Sequence, residues 1–225
     1  MIRTLLIVLS LASAASAAAP PQFRLGPSAD IQEKGKKKIS DEAQKTAKEA
    51  IATLEKGDTA GAKKLFEKVL TLAPGNVPTL INLGLIEYRQ KDYSGAETLL
   101  RSAVKGASES ALAWLVLGVV QYEQNKLDAA LASLAMAAYL EPKDARVHQY
   151  LGVVVGSKGW YSAAEDEMRK ALELAPDYAE AHYNLAVFYL QRNPPAVELA
   201  RRHYYKSVDL GGAPDPEIEK KVEAK

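Results

Sequence analysis

The composition of this 225-residue chain is that of a soluble globular protein, with 48% hydrophobic and 25% charged residues. The 29 basic and 28 acidic side chains give a formal net charge of +1, which argues against a protein held on nucleic acid by electrostatics. The chain has no cysteine, which excludes disulfides, thiol nucleophiles and thiolate zinc sites, and it has only three histidines. We therefore expect no nucleic-acid partner, no cofactor and no metal site.

Residues 1–17 have the pattern of a secretory signal peptide. Arg3 supplies a positive charge, an apolar segment runs from about Leu5 to Ala12, and Ala15-Ser16-Ala17 fits the small-x-small cleavage rule. The alternative is an uncleaved membrane anchor, but the apolar segment is shorter than the roughly 20 residues that a spanning helix needs. The sequence predicts an exported protein, periplasmic or secreted, that has no membrane span after cleavage.

Residues 18–38 are rich in proline, glycine and lysine, including the run Lys36-Lys37-Lys38. Such a segment buries little apolar surface, so we predict a flexible lead-in to the folded part of the chain.

The remainder of the chain repeats with a period of 34 residues. Leucine recurs at Leu83, Leu117, Leu151 and Leu185. Glycine recurs at Gly84, Gly118 and Gly152, and alanine at Ala62, Ala96, Ala130 and Ala164. A period near 34 indicates stacked helical hairpins. In each hairpin we predict that the small residues mark the place where the two helices cross closely.

The boundaries of these helices are also predicted by the repeat. The turn inside each hairpin falls at residues that tolerate positive φ, such as Gly57, Asn125 and Gly159. The second helix of a hairpin ends before Pro74, Pro142 or Pro176, because the residue before proline avoids α geometry. Asn193-Pro194-Pro195 is interpreted as a two-residue insertion in the last such turn.

We call a set of residues that are spaced by multiples of 34 a column. The residue types in these columns resemble those of the tetratricopeptide repeat (TPR) family, whose repeat is a pair of antiparallel helices. The fullest match is given by Trp114, Leu117, Gly118, Tyr122, Ala130, Leu134, Ala137 and Pro142. The resemblance implies an all-α fold, a right-handed α-solenoid of about five TPR hairpins. The array spans 39–212, with repeats at 43–76, 77–110, 111–144, 145–178 and 179–212. Residues 213–225 are predicted to form a C-terminal capping helix that begins at Asp215-Pro216.

In the TPR family, the first helix of each repeat lines a concave groove that binds other polypeptides. The resemblance carries this role onto Ile81, Asn82, Leu85, Tyr88, Leu115, Val116, Val119, Tyr122, Tyr150, Val153, Tyr183, Asn184 and Val187. The same face of these helices also carries Arg89, Glu123, Arg146 and Gln149. One family subtype grips a terminal carboxylate with lysine, asparagine and arginine, but the corresponding positions here are apolar. The expected ligand is therefore an amphipathic helix or an extended apolar segment.

A second interpretation of the apolar groove residues is that they pack between helices. The first helix of the third repeat, about 111–123, is apolar nearly all round, so a partner, a second copy of the chain or the lead-in is expected to cover it. We thus predict a non-enzymatic protein-interaction scaffold. The alternative is a structural protein of the cell envelope that self-associates into a homo-oligomer.

Other polar groups allow two interpretations each. His148 and His182 lie 34 residues apart and suggest a paired metal site, but their column holds Leu80 and Trp114 in other repeats, which favours packing. The segment Arg201–Tyr205 is either a solvated basic edge or a contact for a partner. No Ser/His/Asp grouping, carboxylate pair or phosphate-binding loop has a motif that predicts an enzyme.

Cleavage of the signal peptide is directly testable. Mass spectrometry of the protein from its native host should detect a mature chain that begins at Ala18. Intact Met1 in a membrane fraction would instead establish the uncleaved anchor.

Overall fold

A computed structural model describes residues 39–224 of the chain. The predicted signal peptide (1–17) and lead-in (18–38) lie outside the described residues and stay predictions. The described residues form eleven α-helices and no strand, so the all-α class is confirmed. No helix among residues 39–224 is long and apolar enough to cross a membrane.

The first ten helices form five hairpins. The hairpins are α1 (Asp41–Glu55) with α2 (Thr59–Leu72), α3 (Val77–Arg89) with α4 (Tyr93–Gly106), α5 (Ala111–Glu123) with α6 (Leu127–Leu140), α7 (Ala145–Ser157) with α8 (Tyr161–Leu174), and α9 (Ala179–Gln191) with α10 (Val197–Asp209). The eleventh helix, α11 (Pro216–Glu223), follows the last hairpin. The described chain divides between Glu141 and Pro142 into two compact units, an N-terminal unit with α1–α6 and a C-terminal unit with α7–α11.

Small residues bring the two helices of a hairpin into close contact. A Cβ atom added at Gly118 of α5 would lie 2.6 Å from Cγ of Leu134 in α6. The equivalent Cβ at Gly84 would lie 2.9 Å from Cγ of Leu100. Ala130 in the facing helix is fully buried. The predicted close crossing of the two helices is therefore confirmed, because no larger side chain fits there without moving its neighbour.

The turns within the hairpins also follow the predicted column. The residue at the turn has positive φ in four successive repeats, at Gly57, Lys91, Asn125 and Gly159. In the first two repeats an aspartate follows this residue and caps the second helix, since Asp58 accepts from the Gly61 N–H at 2.8 Å and Asp92 from the Gly95 N–H at 2.9 Å. In the fifth repeat, α10 begins two residues later than the period of 34 predicts, as expected from the insertion.

Ion pairs connect consecutive repeats within each unit. In the N-terminal unit, Lys63 Nζ lies 2.7 Å from Glu87 and Glu97 lies 2.6 Å from Lys126 Nζ. In the C-terminal unit, Arg192 Nε donates to Glu165 at 2.7 Å. The residues Lys63, Glu97 and Glu165 occupy one column of the repeat, so the same position links neighbouring hairpins three times.

The Glu97 carboxylate is almost completely buried, yet it is ionised over the physiological range. Burial raises its pKa, but hydrogen bonds from Lys126, Gln124 and Arg101 outweigh burial and hold the pKa at about 2. In the third repeat, Leu131 takes this column.

The predicted capping helix is present and is fixed by Asp215 at its N-terminus. The Asp215 carboxylate accepts from the N–H of Glu217 at 3.0 Å and from the hydroxyl of Tyr183 at 2.6 Å. The apolar side of α11 buries Ile218 and Val222. The helix therefore closes the C-terminal unit through both apolar packing and hydrogen bonds.

The crossing at Gly118 can be tested by adding bulk. We expect Gly118→Leu to lower the free energy of unfolding by about 1–3 kcal/mol or more, because the new side chain overpacks the contact with Leu134. Urea denaturation followed by circular dichroism measures this change. Ala132→Leu is the matched control, since it adds a leucine at an exposed position of the same hairpin and should change stability little. Equal stability of both variants and wild type would contradict the close crossing.

Candidate protein-binding groove

The predicted groove residues lie on the first helices of the repeats. In the N-terminal unit they belong to α3 and α5, and in the C-terminal unit to α7 and α9. Each unit presents its own set.

In the N-terminal unit, solvent reaches the polar and aromatic members of the predicted groove. Tyr88, Tyr122 and Asn82 are half-buried. The apolar members are buried, with 2% of Leu85 and 1% of Val119 exposed. Ile81, Leu115 and Val116 are buried as well. A charge placed at Leu85 or Val119 would therefore be expected to unfold the protein, so the tyrosines are the better probes of binding.

In the C-terminal unit, the predicted groove residues are likewise divided into buried residues and half-buried tyrosines. Val153, Val187 and Asn184 are buried, whereas Tyr150 and Tyr183 are half-buried. The Tyr183 hydroxyl is already engaged by Asp215 at the start of α11. Burial and then this hydrogen bond raise the pKa of Tyr183 above its usual value. Tyr183 thus has a structural role in fixing the capping helix, which the repeat pattern does not predict.

Two tyrosines and a glutamate form a cluster at the end of α3, and sequence analysis missed one of its members. The Tyr88 and Tyr93 rings have centroids 5.8 Å apart and planes inclined by 49°. The Tyr88 hydroxyl also donates to Oε1 of Glu123, at the end of α5, over 3.4 Å. We call Tyr88, Tyr93 and Glu123 the Tyr88 cluster. Tyr93 is the first residue of α4, directly after the turn, so helical periodicity along α3 could not reveal it.

Partial removal from water changes the acidity of the groups in the Tyr88 cluster. Burial is the main cause that raises the pKa of Tyr88, and the nearby Glu123 charge adds to it. Burial also raises the pKa of Glu123, although the hydrogen bond from Tyr88 partly offsets this effect. The carboxylate is thus less well solvated than an ordinary surface glutamate.

The outer face of α6 is a second exposed surface, which sequence analysis also missed. It consists of Ala132, Ala135, Met136 and Tyr139, and 80% of Tyr139 and 38% of Met136 are exposed. The same four columns in α2, α4 and α8 are exposed but polar and mostly charged, with Lys64, Glu67, Lys68 and Thr71, then Thr98, Arg101, Ser102 and Lys105, then Asp166, Arg169, Lys170 and Glu173. The absence of any charge between residues 129 and 140 was the available signal.

The column histidines are buried and each has its own partners. His148 contacts the Pro142 carbonyl through Nε2 at 2.9 Å and Glu167 through Nδ1 at 2.7 Å. The two histidines do not share a site, and the described residues contain no group of three or more potential ligands placed to hold a metal ion.

His182 repeats this arrangement with one change. Its Nε2 contacts the Pro176 carbonyl at 2.9 Å, and its Nδ1 lies 2.8 Å from Nδ1 of His203. A carbonyl only accepts, so Nε2 of neutral His182 carries the proton and its Nδ1 accepts from His203. After the two-residue insertion, His203 occupies the column of Glu167. A histidine therefore replaces a carboxylate at the same half-buried position. Partial burial, and then electrostatic interaction with His182, Arg202 and Arg169, lowers the pKa of His203 to about 4.

The segment Arg201–Tyr205 is largely used within the C-terminal unit. Arg201 Nε donates to the Val222 carbonyl at 2.7 Å, and the Tyr205 hydroxyl donates to Glu223 at 2.7 Å. Tyr204 is buried. These contacts hold α11 against α10, so structural packing accounts for most of the polar groups in this segment.

Comparison with known families agrees with this geometry. Four family models, each described as a tetratricopeptide repeat, match residues 53–104, 81–145, 145–178 and 167–201. Together the matches run from residue 53 to residue 201, more than half of the 225 residues. The chain belongs to the tetratricopeptide repeat family. No curated protein matches the sequence significantly.

Solved TPR structures share the fold. A crystal structure of MamA is 25% identical, with a TM-score of 0.63, and the alignment covers 78% of this chain and 97% of that one. YrrB, described as a TPR protein with an unusual peptide-binding site, is 20% identical, with a TM-score of 0.64 and coverage of 80% and 91%. PilF of Pseudomonas aeruginosa is 23% identical, with a TM-score of 0.70 and coverage of 79% and 80%. The TPR repeat is an interaction module, which supports a protein-binding scaffold with a protein or peptide as partner.

The histidine pair predicts a pH dependence of stability. Between about pH 6.5 and pH 4 the unfolded chain binds a proton at residue 203 that the folded TPR protein does not. Stability must therefore fall as the pH is lowered through this range. We expect a loss of about 1 kcal/mol between about pH 7.5 and pH 5.5, measured by urea denaturation.

A matched variant separates the pair from other titrating groups. His203→Glu recreates the His148–Glu167 arrangement in the last repeat, so it should lose less stability over the same pH range. If wild type and variant have the same pH dependence, His203 is not the group responsible.

Proposed function

We propose that this TPR protein binds an apolar segment of another polypeptide along the first helices of its repeats, without catalysing a reaction. The pattern of residues 1–17 makes export part of the proposal, so the partner is periplasmic or extracellular. In the N-terminal unit, the peptide would be held in a groove.

The accessible tyrosines of α3 and α5 carry this proposal. Tyr88 and Tyr122 occupy the same column in consecutive repeats and both are half-buried. A tyrosine combines a large apolar ring with a polar tip, which is why it is enriched among the residues that dominate binding energy. Asn82, on α3, is half-buried too and offers an amide to a ligand's backbone. This combination suits a polypeptide ligand better than a small molecule or a nucleic acid.

YrrB shows that a protein of this fold has a peptide-binding site. Its 20% identity establishes the fold alone, so the proposal depends on the residues of this chain.

The groove can be tested with two tyrosine variants. We expect Tyr122→Ala to weaken partner binding by about 1–3 kcal/mol, as for a tyrosine that dominates an interface. The measurement is quantitative capture of partners from a cell-envelope extract on the immobilised mature chain, with proteins identified by mass spectrometry. Tyr139→Ala is the matched control, because Tyr139 lies on the outer face of α6 and not on a first helix.

Stability is measured in parallel, since half-buried Tyr122 supports the fold less than a fully buried residue would. If Tyr122→Ala unfolds the protein, the tyrosine is part of the core, and the assignment of residues to the groove face of the first helices is wrong. If only Tyr139→Ala loses partners, the binding surface is the outer face of α6.

Self-association is the second candidate function, and the outer face of α6 favours it. Ala132, Ala135, Met136 and Tyr139 have the i, i+3, i+4, i+7 spacing of a helix-packing stripe. Two copies of an uncharged face can meet about a two-fold axis without bringing like charges together, whereas the corresponding faces of α2, α4 and α8 cannot. One helix face is smaller than the roughly 800 Å² per partner of a stable interface. The resulting dimer would therefore be weak.

Analytical ultracentrifugation of the mature chain tests this second candidate. We expect concentration-dependent dimerisation that Tyr139→Glu abolishes, because the substitution places two carboxylates opposite each other. Tyr122→Glu should leave dimerisation unchanged. A strictly monomeric wild type at high concentration would exclude self-association through α6.

A further inference from the structure

We propose that the Tyr88 cluster is a subsite for a cationic side chain, so that the polypeptide bound by the N-terminal unit carries a lysine or arginine next to its apolar residues. This inference rests on the proposed groove function and specifies the chemistry of the partner.

The aromatic part of the subsite is the pair of tyrosine rings. Tyr88 is a predicted groove residue near the end of α3 and is half-buried, and the neighbouring Tyr93 ring is half-buried as well. The two tyrosine rings lie side by side, with centroids 5.8 Å apart and planes inclined by 49°. The faces of such rings attract ammonium and guanidinium groups.

The acidic part of the subsite is Glu123, which lies on the groove side of α5. Its side chain is exposed and accepts the long hydrogen bond of 3.4 Å from Tyr88. Among residues 39–224, no lysine or arginine nitrogen lies within 4.0 Å of the Glu123 carboxylate. By contrast, the carboxylates of Glu87, Glu97 and Glu165 are each paired with a lysine or arginine.

The surroundings of Glu123 add a physical reason for a ligand cation. Although the side chain is exposed, partial burial of the carboxylate raises its pKa, so its charged form is somewhat less stable than that of a fully solvated glutamate. A cation that arrives with the ligand supplies the missing partner. It would contact the tyrosine faces and the carboxylate together, which favours arginine, since its planar guanidinium stacks on rings and bonds a carboxylate with two N–H groups.

The competing explanation is that Tyr88 and Glu123 only tie the second repeat to the third. Glu123→Gln distinguishes the two roles. Glutamine keeps an oxygen that accepts from Tyr88, so a purely structural bond survives the substitution. The negative charge, which a cation subsite needs, is lost.

The experiment uses two fluorescein-labelled peptides of leucine and serine that are identical except for one central residue, arginine or citrulline. Citrulline has the shape of arginine without its charge. Fluorescence anisotropy with the mature chain should show that the arginine peptide binds about tenfold more tightly than the citrulline peptide. Glu123→Gln should bind both peptides equally, at the affinity of wild type for the citrulline peptide.

Three further variants exclude general effects of charge and folding. Glu109→Gln removes an exposed carboxylate from the loop between α4 and α5 and should retain the full preference for arginine. Tyr93→Leu should reduce that preference several-fold, whereas Tyr93→Phe, which keeps a ring face, should retain it. Thermal unfolding followed by circular dichroism confirms that each variant is folded.

The outcomes separate this inference from the groove itself. If wild type binds both peptides with equal affinity and Tyr122→Ala weakens both, the groove stands and the cation subsite is overturned. If Glu109→Gln loses the preference as much as Glu123→Gln, the effect is net charge, and the subsite is overturned as well. If neither peptide binds, both the apolar-segment groove and its subsite are contradicted.

Discussion

The close contact between the two helices of each hairpin is the constraint on which the rest of the structure depends. Gly84, Gly118 and Gly152 leave room for a leucine or methionine of the facing helix, with spaces too small for an added Cβ. Because the contact recurs every 34 residues in these three hairpins, their helices cross in the same way. Equal geometry places each column of the sequence at an equivalent position in successive repeats. Residues in one column can therefore be compared as different side chains at the same structural position.

A residue that differs in type from the others in its column therefore marks a change in the chemistry of that repeat. In the column of Lys63, Glu97 and Glu165, a charged side chain joins neighbouring hairpins, whereas Leu131 in α6 forms no ion pair. The same helix replaces charged outer residues with alanine, methionine and tyrosine. Since packing in the crossing column is conserved in α6, these changes do not serve the hairpin itself. They alter the surface that α6 offers to a second molecule.

The sequence predicted the helices, the hairpins, the insertion and the capping helix, because each depends on local spacing, turns and caps. It placed the candidate groove residues on the first helices of the hairpins but could not tell their exposure, since periodicity assigns a residue to a face of a helix and does not show what covers that face. Leu85 and Tyr88 lie in neighbouring turns of α3, yet Leu85 is buried and Tyr88 half-buried. Contacts between columns were also missed. Tyr93 meets Tyr88 across a turn, and Glu123 reaches Tyr88 from a helix 35 residues away.

His148 and His182 occupy equivalent positions in consecutive repeats but have different partners. His148 and His182 both contact the carbonyl of the proline that ends the preceding helix, so the fold fixes one ring nitrogen in the same way twice. The other nitrogen meets Glu167 in one repeat and His203 in the next. One arrangement offers a negative charge to an imidazole, and the other offers only a second imidazole. The repeated backbone therefore keeps each position in place, while one substitution removes the negative charge that faces the imidazole. The Tyr88 cluster likewise differs in its side chains from the equivalent place in the next repeat. Its tyrosine recurs as Tyr122, but Tyr93 of the second repeat and the carboxylate of Glu123 from the third give the Tyr88 cluster a chemistry of its own.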